Sequence, residues 1–105
     1  MCVCVPPELT ILCTSPVSLP VAIDGKRLEP VTLVEQLNQL AGKYGIGRID
    51  MVENRVVGLK SRELYEAPSA TILHTGHREI ERMTLDPETF HYKQKVSFDM
   101  ANVIY

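Results

Sequence analysis

No apolar run in this chain reaches the roughly 18 residues that a membrane-spanning helix needs, so no membrane segment is expected. Basic charge is not in excess either. Eleven Lys and Arg face thirteen Asp and Glu, a formal net charge of −2. The cations alternate with acids instead of forming a stripe, which argues against a nucleic-acid binder. Cysteine is scarce and confined to the start, at Cys2, Cys4 and Cys13. The CxC spacing of Cys2 and Cys4 has no second pair or nearby histidine to complete a four-ligand zinc site. Reduced thiols of a cytoplasmic protein are the expectation. The opening MCVCVPPELTILC is apolar but broken by Pro6 and Pro7, with no basic residues ahead of it, which disfavours a signal peptide. Internal repeats and low-complexity linkers are absent. So are a P-loop, a nucleophile elbow and HExxH. GKYGIG has suggestive glycines but not the strand-then-helix context that aims N–H groups at a phosphate.

What remains is one domain of 105 residues, near the lower limit for a self-sufficient core. ELTILCT, residues 8–14, reads as a strand from its β-branched content. Asp24-Gly25 between two short runs marks a hairpin, because a type I′ turn needs positive φ at both central residues. A structural role is expected for this pair. The clearest helix covers residues 31–44, where Leu33, Val34, Leu37, Leu40, Ala41 and Tyr44 form one stripe at the helical period. Pro30 suits its first turn and Gly45 its termination.

Residues 48–54 alternate as a strand, with Ile49, Met51 and Glu53 on one face. RVVGL, 55–59, reads as a second strand interrupted by Gly58, and 61–66 as an irregular loop leading out. A helix is expected after Ala67-Pro68, with Gly76 a weak point inside it. Asp86-Pro87 is an N-cap and first-turn signal for the next helix, and Ser97 caps a last segment, 98–105. The expected fold class is α+β: antiparallel strands over residues 8–60 around one helix, then helices.

Candidate chemistry concentrates in residues 45–68, GIGRIDMVENRVVGLKSRELYEAP. Asp50, Glu53 and Glu66 stand close to Arg48, Arg55, Lys60 and Arg62, and these charges cannot all be buried unpaired. An ion-pair network on an edge hairpin and a polar binding site both account for them. Spacing does not choose between the two. A second cluster, His74 and His77 with Glu81 and the later His91, has partial metal-ligand spacing, but histidines three apart more often lie on an exposed helix face. No metal site is expected.

The same stretch resembles a family signature. AGKYGIGRIDMVENRVVGLKSRELYEAPSATIL is similar to the AGKHGxGRxDxVExRxxGxKSRxxYExP pattern of the argininosuccinate synthase family. PVAIDGKRLEPVTLVEQLNQL, HREIERMTLDPETFHYK and ANVIY extend the likeness over residues 20–105, and ELTI joins it near the start. Residues 1–7 remain an unmatched segment, and 8–105 are expected to be part of the synthetase-domain body. The resemblance implies an ATP-dependent ligase of arginine biosynthesis, cytoplasmic and homotetrameric. Citrulline is adenylated, pyrophosphate leaves, and the aspartate amine displaces AMP.

By position, the family's citrulline contacts fall on Glu53 and Tyr65. A carboxylate suits a ligand ammonium, and a phenol can donate or accept without charge. Arg48, Arg55, Lys60, Ser61 and Arg62 are expected to position and pair. Glu63 and Ala67 stand where the family commonly has Gly and Thr. The family's SGGLDTS-type ATP loop has no counterpart here, so ATP and its Mg ion are expected to be bound elsewhere. The chain reads as a truncated copy, inactive alone. The alternative is a non-catalytic remnant that binds an amino acid or associates with full-length subunits.

Overall fold

The computed structural model describes residues 9–14 and 19–104. Cys2, Cys4 and the segment 1–7 lie outside them. Two compact units divide the chain, Met1–Leu73 and His74–Tyr105.

In the first unit, β1 (Ile11–Cys13), β2 (Pro20–Ile23) and β3 (Lys26–Arg27) form an antiparallel sheet in that order. Asp24 and Gly25 turn between β2 and β3 with φ of 47° and 79°, both in the region the type I′ turn requires. Asp24 also fastens β1. Its Oδ1 accepts from the Thr10 N–H at 2.9 Å, and its own N–H donates to the Thr10 carbonyl at 2.8 Å.

Helix α1 (Pro30–Gly42) follows. Leu33, Leu37 and Ala41 fall four apart on one face and are fully buried, and Leu33 and Leu37 join Ile23 of β2 in the core. Leu9, Ile11, Leu28 and Leu73 pack around that cluster. The helix ends two residues before the expected Tyr44. Ile46 N–H returns to the Ala41 carbonyl at 3.2 Å and Gly45 N–H to that of Gly42 at 3.1 Å, which satisfies carbonyls the helix would otherwise leave open.

A second antiparallel pair, β4 (Arg48–Asn54) and β5 (Lys60–Glu66), runs in unbroken register from Arg48 opposite Glu66 to Asn54 opposite Lys60. Two expectations are corrected here. RVVGL is the turn, and residues 61–66 lie in the strand. Gly58 sits at φ 81°, its N–H donates to the Arg55 carbonyl at 2.9 Å, and the Arg55 N–H donates to that of Leu59 at 2.7 Å. This is tight-turn geometry, and a left-handed residue closes it. Val56 and Val57 are β-branched, as strands favour, yet they sit exposed at the tip. The strands therefore reach Glu66, beyond the expected limit at residue 60.

The base of this hairpin is held at Gly47. Its carbonyl accepts from the Ala67 N–H at 3.0 Å, and a Cβ there would meet the Ala67 carbonyl group at 2.7 Å. Helix α2 (Pro68–Thr84) leaves from this junction, and its Ser69 N–H is capped by Asn38 Oδ1 of α1 at 2.9 Å. Unprotected N–H groups in a first turn need such an acceptor.

The second unit holds the rest of α2 and α3 (Pro87–Ile104). Asp86 caps α3 as expected, its Oδ1 accepting from the Thr89 N–H at 2.9 Å. The Thr89 side chain first, and then this backbone bond, hold the Asp86 carboxyl below the usual carboxylate range. Ser97 starts nothing, because α3 runs through it without interruption. No helix of the described residues is long and apolar enough to cross a membrane.

Candidate functional site

Alternation along β4 and β5 sorts the charges of residues 45–68 onto two faces. One face carries Arg48, Asp50 and Arg62 as pairs. Arg62 Nε and Nη2 grip Asp50 at 2.8 and 2.6 Å, a two-pronged bond that holds the Asp50 carboxyl low and the guanidinium high. Arg48 Nε lies 2.8 Å from Glu66 directly across the ladder. These side chains are largely exposed, and pairs of this kind contribute little to stability.

The other face brings together Glu53, Arg55, Ser61, Glu63 and Tyr65. Tyr65 O–H donates to Glu53 Oε1 at 2.8 Å. Arg55 Nε donates to Ser61 Oγ at 2.8 Å, its Nη2 donates to Glu63 Oε1, and its Nη1 lies 3.5 Å from Glu53 Oε1. Glu53 is the most sheltered of the charged groups, its side chain 22% exposed. Its hydrogen bond raises the Tyr65 phenol above the ordinary range, with desolvation and the Glu53 and Glu63 charges adding to the effect and Arg55 opposing it. Two carboxylates against one guanidinium leave this face net negative.

Chemically, this is a seat for a cationic group. An ammonium has three donors, and it finds a carboxylate and a phenol oxygen 2.8 Å apart. Because the phenol proton is committed to Glu53, the Tyr65 oxygen is free to accept. The two sequence-nominated residues, Glu53 and Tyr65, are in direct contact. Arg55 and Ser61, expected to position and pair, join them, whereas Arg48, Lys60 and Arg62 lie on the opposite face. Glu63 was not nominated. The signal was present, since Ser61, Glu63 and Tyr65 alternate and so share a strand face, but reading 61–66 as a loop concealed it.

Of the histidine cluster, His77 is held in an ion pair within the second unit. His77 Nε2 lies 2.9 Å from Glu81 Oε1, which also takes Lys93 Nζ. Among the described residues no group of three or more His, Cys, Asp or Glu is placed to hold a metal ion. Nor do the glycines of GKYGIG form a phosphate cradle. They follow a helix and precede a strand, and the N–H groups of Gly45 and Ile46 are spent on α1 carbonyls. Neither a three-residue metal-ligating group nor a glycine phosphate cradle is thus formed by these segments.

The family description "Arginosuccinate synthase C-terminal domain" matches residues 7–105. Argininosuccinate synthase of Chlorobium chlorochromatii is 58% identical over 87 residues, which is 83% of this chain and 22% of that protein. Those of Chlorobium luteolum and Chlorobaculum parvum are each 56% identical over the same shares. The chain thus spans about a fifth of the length of the curated relatives it matches.

Proposed function

The chain belongs to the argininosuccinate synthase family, and from that premise we propose that it supplies part of the citrulline site of the ATP-dependent ligase. Glu53 receives the ammonium of citrulline, and Tyr65 accepts from the same group while donating to Glu53. The observation that carries this reading is the 2.8 Å hydrogen bond between the two side chains. A matched pair of polar groups of this kind rejects analogues that lack the partner group. ATP, its Mg ion and the aspartate contacts are supplied from outside the described residues, and the family's cytoplasmic setting comes with the same proposal.

Calorimetry of the chain with citrulline tests the reading. Binding that is lost in Glu53→Ala and weakened in Tyr65→Phe supports it, and equal binding in all three overturns it. In an assay with ATP, citrulline and aspartate, the chain alone is expected to release no pyrophosphate. Turnover there would place the nucleotide site within this chain.

A second reading, association with full-length subunits into a homo-oligomer, is favoured by α3. Tyr92, Val96, Met100 and Val103 are exposed there and fall at i, i+4, i+8 and i+11 of the helix, one face, and apolar side chains grouped on a surface mark interaction sites. Co-sedimentation with a full-length relative tests it, and a monomer unchanged by that relative counts against it.

A further inference from the structure

Arg55 is the first residue after β4, and each of its three nitrogens faces a different acceptor. Nε donates to Ser61 Oγ at 2.8 Å, Nη2 donates to Glu63 Oε1, and Nη1 lies 3.5 Å from Glu53 Oε1. The last oxygen is the one that accepts the Tyr65 hydroxyl.

We propose that Arg55 is a positioning residue, a guanidinium anchored on β5 through Ser61 and Glu63 that holds the Glu53 carboxylate against Tyr65. The proposal deepens the citrulline reading and rests on it for the effect on ligand affinity. The contact itself exists without ligand.

Three physical points carry it. Glu53 and Glu63 are like charges on one face of paired strands, and without a cation between them they repel. Glutamate has ample rotamer freedom, so a carboxylate that is still partly exposed stays at a phenol only if something directs it. A guanidinium can do so because its donors diverge in one plane. With Nε committed to Ser61 and Nη2 to Glu63, that plane is set and Nη1 is left 3.5 Å from Glu53 Oε1, within ion-pair distance. Lysine carries the charge but has no fork.

A merely neutralising Arg55 makes the opposite prediction, and the Tyr65 phenol distinguishes the two. If Arg55 only supplies positive charge, its loss leaves Glu53 on Tyr65 and the phenol becomes harder to ionise. If Arg55 positions Glu53, its loss releases the carboxylate and the phenol becomes easier to ionise. The groups on this face that act on Tyr65 are Glu53, Glu63 and Arg55.

The experiment follows the ring carbon bearing the hydroxyl in the full chain labelled with 13C-tyrosine, assigned by Tyr65→Phe, through an alkaline titration. The Tyr65 midpoint is expected to fall in Arg55→Ala and Arg55→Lys, in the direction produced by Glu53→Gln. An unchanged or raised midpoint in either Arg55 variant overturns the proposal. Should Arg55→Ala unpair the strands, seen as loss of the cross-strand contact between Glu53 and Ser61, then Ser61→Ala decides. It removes one anchor and no charge, and it is expected to lower the midpoint by less, with no change counting against the proposal. In calorimetry Arg55→Lys is expected to weaken citrulline binding about tenfold or more, the range for a misaligned charged hydrogen bond. Undiminished affinity overturns the proposal. Absence of citrulline binding in the unsubstituted chain overturns the citrulline reading instead, and the Tyr65 midpoint still decides the role of Arg55.

Discussion

Tyr65 donates to Glu53 although the two are not cross-strand partners. Glu53 stands opposite Ser61 and Tyr65 opposite Ile49, and the hydroxyl reaches back along the ladder to close a 2.8 Å bond. The offset is four residues, twice that of a diagonal pair, and the two long side chains on the same face span it together.

The pH dependence follows from the sign of the Tyr65 shift. Its phenol is raised above the ordinary 10.0, first by the Glu53 bond. Any stability it contributes is therefore fully present below pH 10 and lost as pH rises through the folded value. Tyr65→Phe should remove that alkaline component while leaving the acid side unchanged. Unfolding midpoints by circular dichroism between neutral pH and pH 11 check this.

At the acid end the sign reverses. Asp86 and Asp50 are both held below 3.8, by Thr89 and Arg62 respectively. Their contribution is complete above that ordinary value and is lost as pH falls through the lowered one. Asp86→Asn keeps a good capping group. It should leave stability at pH 7 nearly unchanged and flatten the acid limb of a urea-midpoint against pH curve.

Two glycines should respond oppositely to the same substitution. Gly47 combines φ 78° with an approach to Ala67 that leaves no room for a Cβ. Gly47→Ala should destabilise by about 2 kcal/mol or more, through left-handed strain and the clash together. Gly76 lies inside α2 with nothing within 4 Å of an added Cβ. Gly76→Ala should stabilise by about 0.5–1 kcal/mol, the helix-propensity difference. Urea titrations of both variants measure the contrast.

Leu37 is fully buried against β2 and the residues around it. Leu37→Ala should cost about 2–5 kcal/mol, the transfer and cavity terms together. In a core this small that loss should unfold the first unit near room temperature, visible as collapse of amide dispersion in NMR spectra.

The elements legible in the sequence were those that carry their own local signal. The α1 stripe, the Asp24-Gly25 turn and the Asp86-Pro87 cap each depend on residues a few positions apart, where backbone preference decides. The β4–β5 pairing was not legible in that way. Val56, Val57 and Leu59 have stronger strand propensity than Ser61, Arg62 and Glu63, yet the polar residues form the strand and the apolar ones the turn. Gly58 in a left-handed conformation and seven residue pairs in register outweigh intrinsic preference, which spans only about 1 kcal/mol. The Ser97 expectation failed for a related reason. Serine caps a helix only where the chain leaves helical geometry, and nothing around Ser97 stops α3.

By itself, the sequence determined the α+β class, the core face of α1, the family, and the nomination of Glu53 and Tyr65 through a motif in which they stand twelve residues apart. Spacing left those two balanced between an ion-pair network and a site. Only the tertiary structure decided which charges meet. Strand alternation under one fixed register sends Asp50 and Arg62 to one face and Glu53, Arg55, Ser61, Glu63 and Tyr65 to the other. A register shifted by a single residue would have exchanged the partners. Alternation groups the residues within each strand, but which two groups meet is a property of pairing, which acts across the hairpin and not through local backbone preference.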